Sequence, residues 1–134
     1  MIQQVSVFAE NSKGSMKKIT DILAAGDINI MGMVTSEAAE FGIIRMVVEK
    51  PEEAYKLLED AGIFIHLDEL IGIEMEDHPG SLDHILEALK EINVNVDYLY
   101  ISFNRDAHKP MAVFHTESPE IVEQGLEQRG FAVI

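Results

Sequence analysis

The sequence predicts an α+β fold in which one small βαββαβ unit occurs twice. Three observations predict it. The chain matches itself at a shift of 66 residues. Each copy runs through strand-like and helix-like periodicities in the same order. The one break in register falls where a hairpin loop is expected.

At the shift of 66, Glu10 meets Glu76, Gly14 meets Gly80, Ser15 meets Ser81, Ile19 meets Ile85 and Leu23 meets Leu89. Asn29 meets Asn95 and Ser36 meets Ser102, and apolar positions between them match apolar ones, as in Val5/Ile71 and Val7/Ile73. Later the shift becomes 68: Pro51 meets Pro119, Leu58 meets Leu126 and Gly62 meets Gly130. The change of two places an insertion near Phe103–Pro110, inside the expected hairpin.

The elements follow in order. Val5 to Ala9 alternates and is rich in β-branched residues, so it reads as a strand. Asn11-Ser12-Lys13-Gly14 is a turn expected to carry a helix-capping side chain. Met16, Ile19 and Leu23 recur at helical spacing up to Gly26. Strands are expected over 28–36 and 42–49. Pro51 opens a second helix with Ala54, Leu57, Leu58 and Ala61 on one face, stopped by Gly62. Phe64 to Leu67 is a fourth strand. The second copy repeats this with a strand over 70–76, a helix over 80–91, strands over 94–103 and 110–116, a helix over 119–128 and a strand over 131–134. This order is ferredoxin-like: two antiparallel sheets, each with its helices on one face. No Gly/Ser/Pro linker divides the copies, so domains 1–68 and 69–134 are expected to pack side by side. The face away from the helices also carries apolar residues, including Met31, Met33, Tyr98 and Tyr100. A second copy of the chain is the expected cover.

The composition excludes several classes. A copy of this size is marginal alone, because it buries only about 60% of its unfolded surface. There is no cysteine, hence no disulfide, thiol chemistry or Cys-based zinc site. The net charge of −14 and the scarcity of basic clusters argue against nucleic acid and anionic membranes as partners. No apolar run is long enough to span a bilayer, and the N-terminus does not read as a signal peptide. A cytoplasmic location is the expectation.

The two strand-to-helix turns are the candidate ligand sites. They are Glu10-Asn11-Ser12-Lys13-Gly14-Ser15-Met16 and Glu76-Asp77-His78-Pro79-Gly80-Ser81-Leu82. A helix N-terminus offers unpaired N–H groups and the positive end of the helix dipole, which suits a carboxylate. Gly14 and Gly80 let a ligand approach the backbone. Asn11 or Asp77 would hold the ammonium group of an amino acid. The alternative is plain helix capping by Asn11 or Asp77.

The order of elements, the Asn-x-x-Gly and Asp-His-Pro-Gly turns, and the segments Asp27-Ile28-Asn29-Ile30 and Asn93-Val94-Asn95-Val96 together resemble the ACT domain family, as two tandem domains. The resemblance implies an amino-acid-binding regulatory protein with its ligand at the interface between neighbouring domains. It implies contacts from Asn11, Ser12, Gly14, Ser15 and Met16 with Asn29 and Ile30, and from Asp77, His78, Gly80, Ser81 and Leu82 with Asn95 and Val96. Asn11 would pair with Asn95 and Asp77 with Asn29. The serine-binding members carry a histidine before the turn; Ala9 and Met75 stand there, which argues against serine but not against another amino acid. A homodimer, and possible association with an amino-acid metabolic enzyme, also follow from the resemblance.

Catalysis finds little support. His66, His78, His84, His108 and His115 show no chelating spacing. Ser81, His84 and Asp77 form a triad only on paper, without a nucleophile elbow. No catalytic residue, metal or cofactor is expected. The alternatives to a free-standing sensor are a regulatory subunit of a separate biosynthetic enzyme, such as an acetolactate-synthase-like one, and a dimerisation module with a vestigial site.

Overall fold

Alternation decides how each strand is buried. In β1 (Ile2–Glu10), Val5 and Val7 point into an apolar core, while Gln4 and Ser6 point to the other face. The computed structural model describes residues 1–36 and 41–134. The remaining elements are α1 (Ser15–Ala25), β2 (Ile30–Ser36), β3 (Phe41–Val48), α2 (Pro51–Asp60), β4 (Phe64–Glu74), α3 (Ser81–Ile92), β5 (Tyr98–Asn104), β6 (Lys109–His115) and α4 (Pro119–Gln128). They divide into two units, Gln3–Asp68 and Glu69–Ile134 with Met1–Ile2.

In the first unit the strand order is β2-β3-β1-β4. β1 and β3 are antiparallel, with Val5 opposite Met46 and Val7 opposite Ile44. Ile19 and Leu23 of α1 and Ala54 and Leu58 of α2 close over these residues to form the core. Pro51 sits in the first turn of α2, where a missing N–H costs nothing. Each fully buried Leu or Val of this set contributes about 1.5–3 kcal/mol.

The second unit repeats the plan. The order is β4-β6-β5, with Ile71 opposite Phe114 and Ile73 opposite Ala112. Ile85, Ala88 and Leu89 of α3 and Val122 and Leu126 of α4 cover that face. The helices thus lie on one face of an antiparallel sheet in both units.

Four boundaries differ from expectation. The fourth strand of the first copy and the first strand of the second form one element, β4, because nothing between Leu67 and Leu70 breaks the extended backbone. The strand expected from residue 94 begins only at Tyr98. Asn93 is left-handed (φ 63°, ψ 47°) and the Val94 N–H bonds back to Leu89 O at 3.1 Å, so the helix end holds this segment rather than a neighbouring strand. Ile28 is held in the same way by Leu23 O, and β2 starts at Ile30. The terminal strand is reduced to an isolated antiparallel bridge between Ile73 and Val133.

The insertion expected near Phe103–Pro110 is the β5–β6 turn, where His108 takes φ 53°. Its counterpart between β2 and β3, residues 37–40, lies outside the described residues. On the face away from the helices in the second unit, Leu70, Met111 and Val113 are buried. In the first unit Phe8 and Phe64 remain exposed there and meet edge to face at 5.4 Å.

Candidate functional site

Both turns enter their helices through a left-handed glycine. Gly14 (φ 84°, ψ −3°) precedes α1 and Gly80 (φ 91°, ψ −9°) precedes α3. A Cβ at either glycine would meet no atom within 4 Å, so the backbone angle rather than crowding calls for glycine. Neither helix has a side-chain cap. This corrects the expectation of capping by Asn11 or Asp77. The side chains of the turn bond to one another instead: Ser12 Oγ lies 2.7 Å from Ser15 Oγ, and His78 Nδ1 lies 3.1 Å from Ser81 Oγ. The first N–H of each helix bonds back into the turn, Ser15 N–H to Ser12 O at 3.3 Å and Ser81 N–H to His78 O at 3.4 Å.

The structure distributes the candidate residues unevenly. In the first unit Asn11, Ser12, Ser15 and Met16 line a cavity of about 260 Å³ with Thr35 and Ile44. Gly14 lines a different cavity, beside Lys13 and Lys18. Asn29 is exposed past the far end of α1, and Ile30 packs on the core. The 11 residues of α1 separate Asn11 from Asn29 by roughly 16 Å at 1.5 Å per residue.

In the second unit His78, Gly80 and Ser81 line a cavity of about 360 Å³. Asp77 is exposed, and Leu82 packs against the core. Asn95 lines a separate cavity of about 350 Å³ at the far end of α3, beside Ile92 and Thr116, and Val96 packs on the core. Within either unit, then, the turn and the Asn29 or Asn95 position do not meet.

The cavity at the second turn contains residues that the sequence did not single out. Glu74 and Lys109 come from the sheet, Glu76 from the turn after β4, His84 from α3, and Arg129 and Phe131 from the segment after α4. Lys109 Nζ donates to Glu76 Oε1 at 2.7 Å. That bond and the attached positive charge hold the Glu76 carboxyl below its ordinary value, and the same bond raises Lys109. Glu74 Oε1 accepts from Asn104 Nδ2 at 2.8 Å. Arg129 lies 3.6 Å from Glu91 and donates to Gly125 O at 3.1 Å. The His84 ring lies against Phe131, with centroids 5.1 Å apart.

One signal for these residues was present. The register that puts Ile71 opposite Phe114, continued past Glu74, brings Glu76 opposite Lys109. The paper triad dissolves: Ser81 meets His78, whereas His84 stacks on Phe131. Among the described residues no helix is long and apolar enough to cross a membrane.

Comparison with known proteins agrees with this architecture. The chain is similar to protein BT0572 from Bacteroides thetaiotaomicron, at 28% identity over 99% of this chain and 91% of that one, with a TM-score of 0.89. It shares the fold of the regulatory subunit of aspartate kinase from Thermus thermophilus, solved in a ligand-free form (TM-score 0.66, 16% identity, 94% of this chain and 91% of that one). It also shares the fold of the aspartate kinase of Clostridium acetobutylicum (TM-score 0.54, 14% identity), whose chain it covers to 32%. No curated protein matches it in sequence. A family model described as an ACT domain pair matches residues 1–129, and the chain belongs to that family.

Proposed function

We propose that this chain is a non-enzymatic regulatory protein, acting in the cytoplasm, that binds an amino acid at its strand-to-helix turns. The observation that carries the reading is the pair of uncapped helix starts at Gly14 and Gly80, each beside a cavity lined by polar side chains of its own turn. Asn11, Ser12, Ser15 and Met16 form the first set of proposed contacts, and His78, Gly80 and Ser81 the second. A ligand that also touches an Asn29 or Asn95 position needs a second domain, because α1 and α3 hold those positions at their far ends. Membership of the ACT domain pair family supports the reading.

Isothermal titration with each of the twenty amino acids tests it. Saturable binding of at least one is expected, and heat from none of them would end the proposal. Asn11→Ala and Ser81→Ala assign the heat to one turn or the other.

A second reading is that the chain serves a separate amino-acid biosynthetic enzyme as its regulatory subunit. Its fold likeness to the aspartate kinase regulatory subunit favours this. Affinity purification of the tagged chain from its native cell should then retain a stoichiometric enzyme subunit. Recovery of only the chain itself, as a homodimer, would favour the free-standing sensor.

A further inference from the structure

The sheet edge of the second unit carries apolar residues at positions that are polar in the first. β5 ends the strand order, so among the described residues one side of its backbone faces no further strand. Leu99 packs on the core; Ile101 and Phe103 continue the same face yet stay 45% and 41% exposed. On α3, His84 lies against Phe131 and Glu91 near Arg129, so the segment after α4 occupies that flank. Leu86 lies about 200° of helical turn beyond His84. It is 42% exposed on the opposite flank, toward β5. The first unit shows that this flank adjoins the edge strand, for Met16 and Thr35, the counterparts of Leu82 and Ile101, line one cavity.

We propose that this edge binds the same edge of a second copy of the chain, β5 to β5, antiparallel about a two-fold axis. The arrangement of charge selects that occupant. Leu86 lies between Asp83 and Lys90, its neighbours three and four residues away on the helix surface. Both are exposed, and among the described residues neither has an ion-pair partner. A two-fold axis at Leu86 reverses their order, so Asp83 meets the partner's Lys90 and Lys90 meets the partner's Asp83. Ile101 is likewise the central residue of β5. Pairing centred there sets Leu99 against the partner's Phe103 and, just beyond the strand ends, Asp97 against the partner's Arg105. An isologous contact requires this self-complementarity.

The first unit supplies the contrast. Its edge strand β2 has Thr35 where β5 has Ile101, and α1 has Thr20 where α3 has Leu86. Thr20 Oγ1 already donates to Lys17 O at 3.1 Å. Lys17 and Ala24 stand where Asp83 and Lys90 do, and Lys17 pairs with Asp21 of its own helix. No self-complementary pair of charges recurs there. One adhesive edge per chain closes into a pair, whereas two would propagate into an open array. The contact needs no ligand at the turns and is independent of the amino-acid reading above.

Sedimentation equilibrium of the full chain tests this, and a dimer is expected. Leu86→Thr with Ile101→Thr gives the second unit the first unit's own residues and should weaken the dimer by about tenfold or more. Met33→Lys, on the exposed edge strand of the first unit, should leave it unchanged. Asp83→Lys brings like charges together and should weaken it by about tenfold. Asp83→Lys with Lys90→Asp reverses both charges and should restore it. The double change is the less favourable of the two for the helix dipole, so a gain in helix stability could not produce the recovery. All these side chains are exposed, so the fold is expected to survive.

A chain that stays monomeric up to its solubility limit overturns the proposal. So does a dimer that Met33→Lys breaks, or one that Leu86→Thr with Ile101→Thr spares. A charge swap that stays as weak as Asp83→Lys alone overturns the antiparallel two-fold arrangement. A failed titration with the twenty amino acids ends the reading above and leaves this one standing.

Discussion

Ser6 Oγ donates to Asp68 Oδ2 at 2.6 Å, joining β1 to β4 across 62 positions of sequence. Gln4 Nε2 donates to the same carboxylate oxygen at 3.1 Å and to Ser6 Oγ at 3.1 Å. Gln4 is fully buried. A buried amide that loses its acceptor bears the full desolvation cost, whereas a bond exchanged with water is nearly neutral. Asp68→Ala should therefore lower stability by about 1–3 kcal/mol, and Ser6→Ala by about 1 kcal/mol, since Gln4 then keeps Asp68. Urea unfolding of both variants checks the order; equal losses would contradict it.

Gly80 sits at φ 91° with open space where a Cβ would go. An L side chain there strains the backbone without creating a clash. Gly80→Ala should cost about 1–2 kcal/mol, and Gly80→Asn less, because asparagine tolerates the left-handed region. Gly14, at φ 84° and equally open, should behave alike. Thermal unfolding of the four variants reads this. A Gly80→Ala protein as stable as the parent would show that the turn relaxes to another conformation.

Much of the fold was legible because the repeat aligns residues that do the same work. Leu23 and Leu89 are both buried on their helices, and Leu58 and Leu126 likewise. The repeat marks Gly14 and Gly80 as equivalent, and the structure supplies the backbone reason, a left-handed conformation at both. The continuity of β4 was not legible, since Asp68-Glu69 reads as a polar gap while the backbone stays extended. The late start of β5 was hidden too: Val94 and Val96 alternate as a strand would, but they pack on the core while the end of α3 holds the backbone. The charged wall of the second cavity escaped a turn-centred reading. Lys109 and Arg129 reach it from a strand start and a post-helix loop, with no local motif to mark them.

Leu58 and Leu126 are equivalent in the repeat and both fully buried, each in its own core. Truncation removes the transfer free energy and leaves a cavity. Leu58→Ala and Leu126→Ala should each cost about 2–5 kcal/mol. Chemical denaturation reads the loss, and amide exchange should quicken first in Gln3–Asp68 for Leu58→Ala and in Glu69–Ile134 for Leu126→Ala. Exchange that quickens in the wrong unit would contradict the division of the cores.

Ser102 points away from the helix-facing side of β5 and is buried, and its Oγ has no hydrogen-bond partner among the described residues. An unmet buried hydroxyl costs about 1–3 kcal/mol, while a methyl group in its place costs little. Ser102→Ala should leave stability unchanged or raise it by about 1 kcal/mol. A clear loss in urea unfolding would mean that the hydroxyl bonds to an ordered water.

The Glu76–Lys109 pair sets a dependence on pH with a defined sign. The bond from Lys109 lowers Glu76 from its ordinary 4.5, and the bond to Glu76 raises Lys109 from its ordinary 10.5. A depressed carboxyl contributes stability above its unfolded value and loses it as pH falls through the folded one. A raised ammonium contributes below its unfolded value and loses it as pH rises through the folded one. The pair therefore stabilises between these limits and vanishes outside them. In Lys109→Met the Glu76 carboxyl should titrate upward toward 4.5 in side-chain carboxyl NMR. The stability gap between parent and variant should close in acid. Both groups face solvent, so the gap should also shrink as salt is raised, with a Debye length of about 3 Å at 1 M. A Glu76 titration that Lys109→Met leaves in place would show that the ion pair does not persist in solution.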